Sequence, residues 1–198
     1  MLSKGIKAHF SGCLTTTLDL KYQNKKIVSG ECQRRGVYLV DVGVSKNKFF
    51  SQCKAFLGDR RSAIDLEVLK LLEEFPDEKV ETLTHIYDKA LTQKERFDIA
   101  EDLLKKYSSA KCVITSKIHA ALPCLGLGTP VVLVVKRKDP KRYLGLDQFL
   151  NFIWFNGNFK LEKSIHRDLN GNIVNSESFK PYAEEMKKTC FEFIRSLL

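Results

Sequence analysis

The residues best suited to chemistry are Thr115-Ser116-Lys117-Ile118-His119, with His85 upstream and the basic run Lys136–Arg142 (KRKDPKR) downstream. A serine and a lysine at a strand-to-helix junction suit an anion, because a helix start offers unpaired N–H groups and a partial positive charge. Ser116 can cap that helix, and Lys117 adds a full charge. His119, one helical turn in, is the group in this cluster best fitted to move a proton near neutral pH. Each residue also has a structural reading. Ser116 serves equally as a plain N-cap, a histidine early in a helix serves as a hydrogen-bonding residue, and a basic run serves as a solvated loop. His9 and His166 are read as surface or structural residues.

Other chemistries find no support. There is no Walker-type loop, no GxGxxG and no HExxH. Gly126 and Gly128 follow their helix rather than precede it, so they read as packing and C-cap glycines. Thr15-Thr16-Thr17 lacks a nearby base and reads as strand hydroxyls. The six cysteines, at 13, 32, 53, 112, 124 and 190, include no pair with zinc-knuckle spacing. Reduced thiols and no metal are expected.

The elements that must position these groups follow from hydrophobic periodicity. Gly36–Val42, Lys79–Thr84, Lys111–Thr115 and Pro130–Val135 read as strands, the last a continuous apolar run of the kind buried on both faces of a parallel sheet. Helices are read at 63–75, after a capping box at Thr92 and Glu95, at Ile118–Leu127 despite Pro123, and at 183–197. In the second of these, Phe97, Ala100, Leu103, Leu104 and Tyr107 form the expected buried stripe. In the last, the expected buried side carries Ala183, Met186, Cys190, Phe193, Ile194 and Leu197. His9–Leu20 reads as an extended segment, Lys21–Lys26 as a polar connection, and residues 151–182 give no clear pattern. Strands alternating with helices define an α/β fold: a Rossmann-like parallel sheet flanked by helices, in one domain over residues 1–198. Ligands of such sheets bind beyond the carboxyl ends of the strands. His85, Ser116, Lys117, His119 and the 136–142 run all fall at that edge.

Composition agrees with a globular chain: 198 residues, 43% hydrophobic and 29% charged, with a net charge of +9. The excess sits in residues 1–35 and 136–142, and local positive charge attracts anions. The 136–142 run has no interleaved aromatics, so a nucleic-acid partner is not expected. Apolar runs are far short of the about 20 residues of a membrane span. Residues 1–10 hold no signal-peptide core, so a cytoplasmic location is expected.

The segments SGCLTTTL (11–18), ETLTH (81–85), RYLGL (142–146) and above all AEDLLKKYSSAKCVITSKIHAALPCLGLGTPVV (100–132) resemble the polysaccharide pyruvyl transferase family. The resemblance implies two Rossmann-like halves facing a cleft, as in GT-B glycosyltransferases, of which this chain corresponds to the carboxyl-terminal half. It implies transfer of a pyruvyl group from phosphoenolpyruvate to two hydroxyls of a sugar or glycan acceptor, with no cofactor and no essential metal. His119 matches the family's proton-transfer histidine, His85 its upstream histidine, and Ser116 its strand-end serine. Arg137 and Arg142 are candidate helpers for the donor's anionic groups. The family usually carries arginine where this chain has Lys117, which keeps the charge and loses the two-pronged grip. An amino-terminal half, in cis or as a separate chain, is the expected partner, and without it little turnover and an uncovered apolar surface near residues 9–20 are expected. The alternative is a non-catalytic remnant or a binding module for phosphorylated sugars.

Overall fold

A computed structural model of the chain describes residues 14–22, 24–30, 32–44, 52, 54–87, 90–135, 145–155 and 160–196. Six strands form one sheet: β1 (Val37–Val40), β2 (Val80–Leu83), β3 (Cys112–Thr115), β4 (Val131–Val135), β5 (Asn151–Phe155) and β6 (Leu161–Ser164). Their order is β2-β1-β3-β4-β5-β6, with β6 antiparallel to β5 and every other pair parallel. This is the α/β architecture read from the four expected strands. The segment without a clear pattern, 151–182, supplies β5 and the antiparallel edge strand β6.

The main helices are α1 (Arg60–Leu72), α2 (Gln93–Ser109), α3 (Ile118–Gly126) and α4 (Lys180–Arg195). Local chemistry sets their starts. Asp59 accepts the Ser62 N–H at the head of α1. Thr92 and Glu95 form a reciprocal capping box at the head of α2. Gly128 stands at φ +65° just past α3, a conformation that costs glycine little.

The inner strands β1, β3 and β4 are buried on both faces, which explains their apolar runs, whereas β2 at the sheet edge alternates exposed and half-buried residues. On one face Val40, Val113, Val131, Leu133 and Val135 pack with Tyr107 of α2 and Ala120, Ala121, Cys124 and Leu125 of α3. On the other, Val37, Leu39, Ile114, Val132 and Val134 pack with Ile64, Val68 and Leu71 of α1. Cys112 and Cys124 lie inside these cores as free thiols. Burial pushes the Cys112 thiol up to about 12, so it remains a protonated small hydrophobe.

Four local expectations need correction. Leu14–Thr17 is a 3-10 turn and Asp19–Tyr22 a helical turn, not an extended segment; residues 9–13 lie outside the described residues. The Thr15–Thr17 backbone lies on α3, where a Cβ on Gly126 would stand 2.6 Å from the Thr15 carbonyl oxygen, so a tertiary contact overrides the local β-propensity of the threonines. Lys25–Val28 is likewise a helical turn within the expected polar connection. In α2 only the end of the stripe is buried: Tyr107 is 2% exposed whereas Phe97 is 64% exposed, and Ala100, Leu103 and Leu104 between them border a cavity whose wall does not include Phe97. In α4 Ala183 is buried, but Phe193 and Ile194 are exposed and nothing among the described residues covers them; Leu197 lies outside those residues. No helix among the described residues is long and apolar enough to cross a membrane.

Candidate functional site

The strand order reverses between β1 and β3. From β1 the chain crosses by α1 to β2 on one side, and from β2 it crosses back by α2 to β3 on the other. The connections diverge at that point, and a crevice opens beyond the carboxyl ends of the two strands. The register is flush there: Val40 pairs with both Leu83 and Thr115. The next residues of β1, β2 and β3, namely Asp41, Thr84 and Ser116, therefore stand at one level.

Asp41 ties the three ends together. Its φ of +54° is left-handed, a conformation that aspartate tolerates better than bulkier residues. Its N–H donates to the Leu83 carbonyl at 3.0 Å. Its carboxylate accepts the Thr84 hydroxyl at 2.7 Å and the His85 N–H at 3.2 Å. Its carbonyl accepts the Ser116 hydroxyl at 2.8 Å. Sequence reasoning placed Asp41 inside a strand and missed this role. The available signal was an acidic residue, poorly suited to a strand, breaking an apolar run.

The head of α3 differs from the expected cap. Lys117, not Ser116, occupies the N-cap position, with no side-chain cap bond. Ser116 is turned to Asp41. The Thr115 hydroxyl instead accepts the Lys117 N–H at 3.0 Å while donating to the Val40 carbonyl at 3.1 Å. Ala120 and Ala121 donate back to the Lys117 carbonyl. The N–H groups of Ile118 and His119 find no acceptor among the described residues, which leaves two donors of the helix start unused.

A cavity of about 570 Å3 opens at this edge, between the Thr15–Leu18 turn, the loop after β2, α2 and the head of α3. Both His85 and His119 line it, so the structure brings together the two histidines that the sequence placed at one edge. His119 is exposed at its side; His85 is half-buried. The His85 Nε2 lies 2.7 Å from the Tyr107 hydroxyl. Burial is the largest influence on His85 and pushes its pKa down; Asp41 opposes this, and the nearby Lys117 and His119 add to it. The ring is therefore neutral at pH 7. Burial also pushes the Tyr107 hydroxyl up, so it stays a phenol. Arg96 and Tyr87 are further polar lining residues, and Leu18, Leu91, Ile99, Leu103, Leu104 and Pro123 make the rest of the wall largely apolar. Arg96, Tyr87 and Tyr107 were not singled out from sequence. Tyr107 was read as the last residue of a helical stripe, and only the packing of α2 shows its hydroxyl meeting a histidine.

Arg137 and Arg142, and the rest of the basic run, lie outside the described residues. Of the 9–20 segment expected to expose apolar surface, residues 15–19 are half-buried and the remaining side chains lie outside those described; exposed apolar side chains occur at Ile86, Tyr87 and Phe97. His166 is structural: its Nδ1 meets the buried Asn151 side chain at 2.9 Å. Among the described residues no group of three acidic, histidine or cysteine side chains is arranged to hold a metal.

A doubly wound α/β sheet with a histidine-lined cavity at its switch point defines the class as a Rossmann-like α/β domain. The family model for polysaccharide pyruvyl transferase matches residues 1–136, and the chain belongs to that family. The match takes in His85, Ser116, Lys117 and His119 and ends just before Arg137. Searches of curated proteins and of solved structures returned no match.

Proposed function

We propose that the chain acts in pyruvyl transfer from phosphoenolpyruvate to a sugar of a glycan, with the chemistry at the switch-point cavity. One observation carries this reading: His85 and His119 line one cavity, and Lys117 and the unpaired Ile118 and His119 N–H groups stand at the head of the helix that carries His119. The donor's phosphate and carboxylate fit that cationic, N–H-rich corner. His119 delivers a proton to the donor's methylene carbon, and the cationic centre at the adjacent carbon is captured by a sugar hydroxyl. The second hydroxyl attacks as the carbon–oxygen bond to phosphate breaks. Of the two hydroxyl protons, one restores His119 and the other leaves with the phosphate. Positioned proton transfer contributes about 10²–10⁴ in rate.

The test is phosphate release from phosphoenolpyruvate with a panel of sugar acceptors, run with the chain alone and with an amino-terminal half supplied. Turnover that His119→Ala lowers by about 10²-fold or more is the expected result. Turnover that survives the substitution removes His119 from the chemistry, and phosphate release that needs no acceptor removes the transfer.

A further inference from the structure

We infer that Tyr107 is a positioning residue: its hydroxyl fixes His85 as the Nδ1–H tautomer, so that a neutral histidine offers a hydrogen-bond donor to an anionic ligand in the cavity. The ligand half of this inference rests on the proposed function; the tautomer half does not.

The geometry leaves one fully satisfied arrangement. Tyr107 Oη and His85 Nε2 are 2.7 Å apart, so one of them donates to the other. If Nε2–H donated, the phenol hydrogen would need a second acceptor, and the described residues supply none. Tyr107 is only 2% exposed, where an unpaired hydroxyl is costly. If the phenol donates, Nε2 accepts and both groups are paired. The ring proton then sits on Nδ1, which has no partner among the described residues, in a side chain that lines the cavity. His85 is held at a second point, since its backbone N–H is bound to the Asp41 carboxylate. The groups facing His85 are Asp41, Lys117, His119 and Tyr107; those facing Tyr107 also include Cys124 and Tyr87. With Lys117 already supplying positive charge, a second cation here would be repelled, and a neutral donor is not. This separates the two histidines. His85 gives a hydrogen bond and keeps its proton, while proton transfer falls to His119.

The experiment is long-range nitrogen–proton NMR of the histidine rings in the full chain above pH 7, which reads which ring nitrogen carries the proton. Wild type, Tyr107→Phe, His85→Asn and His85→Gln are compared, with inorganic phosphate as the probe. Tyr107→Phe keeps the ring in the core, and its melting curve checks the fold. The expected result is Nδ1–H in wild type, a shift toward Nε2–H in Tyr107→Phe, and about tenfold weaker phosphate binding in that variant, the scale of one hydrogen bond to an anion. His85→Asn, whose amide nitrogen can stand near the place of Nδ1, binds phosphate more tightly than His85→Gln, whose amide stands nearer Nε2. An Nε2–H wild type, or Nδ1–H unchanged in Tyr107→Phe, overturns the role of Tyr107. Phosphate that leaves the wild-type His85 signals unmoved overturns its role as donor to the ligand. Failure of the transferase reading shows separately, as no phosphate released from phosphoenolpyruvate while the NMR result stands.

Discussion

The two edges of the sheet hold their polar groups in opposite ways. At the amino edge, Arg34 donates to the Ser108, Leu127 and Gly128 carbonyls and to the Thr129 hydroxyl, closing the carboxyl ends of α2 and α3 at once. Glu78 accepts the Gly36 N–H at 2.6 Å. The terminal nitrogens of Arg34 are spent on the fold there. At the carboxyl edge, Lys117 makes no ion pair among the described residues, and the N–H groups of Ile118 and His119 lack acceptors. Both edges contain a cation within a few residues of a strand end, and sequence charge alone does not separate them. Unused hydrogen-bonding capacity does.

This contrast can be broken by experiment. Arg34→Ala is expected to have the largest effect on stability, about 3 kcal/mol, because several buried carbonyls and a hydroxyl lose a charged partner. Chemical denaturation measures it, and the folded fraction should bind phosphate as wild type does. Loss of phosphate binding by folded Arg34→Ala would mean that the edges are not independent. Gly126→Ala should cost about 1–3 kcal/mol, since the new Cβ meets the Thr15 and Thr16 backbone at under 3 Å. It pushes the 14–17 turn off α3 and so also alters the wall of the cavity; Thr15 signals should move in NMR while those of α1 do not.

Lys117→Ala should reverse the pattern of Arg34→Ala. Stability changes by less than about 0.5 kcal/mol, while phosphate binding weakens about tenfold, the worth of a charged hydrogen bond. Lys117→Arg should preserve or strengthen binding, because arginine makes paired bonds to an oxyanion. Calorimetric titration of the three proteins decides this, and equal affinities would make Lys117 a plain surface charge.

The smallest expected effect is on pH dependence. The His85 pKa is lowered in the folded state, so the unfolded chain binds the proton more readily. Stability should fall as pH drops below the ordinary histidine value of about 6.5, and nothing is lost above it. His85→Asn should flatten that part of the stability curve. An unchanged slope would show that burial of His85 carries no linkage.

Much of the carboxyl edge was legible because β1, β3 and β4 are short, continuous and apolar, and a strand that ends in a histidine or a Ser-Lys pair announces its own boundary. The Thr92–Glu95 box and the Gly128 stop were readable because each is settled within four residues of chain. The errors have a common cause. Thr15–Thr17 forms a turn because α3 presents Gly126 to it, and Ala100, Leu103 and Leu104 of α2 border a cavity; neither fact is local. β6 was missed because an edge strand such as LEKS needs its partner β5 to be recognised at all.

What the sequence by itself determined is the inventory: four strands in a parallel sheet, the helices between them, and His85, Ser116, Lys117 and His119 at the carboxyl ends. Local propensity and hydrophobic period act over a few residues, and those features need no more than that. The tertiary structure alone decided the strand order and its reversal between β1 and β3, the tie that Asp41 makes among three strand ends, and the meeting of Tyr107 with His85. These join residues from 22 to 75 positions apart. Contacts over such separations are set by how elements pack, because only burial of the shared apolar faces can offset the entropy of closing loops of that length.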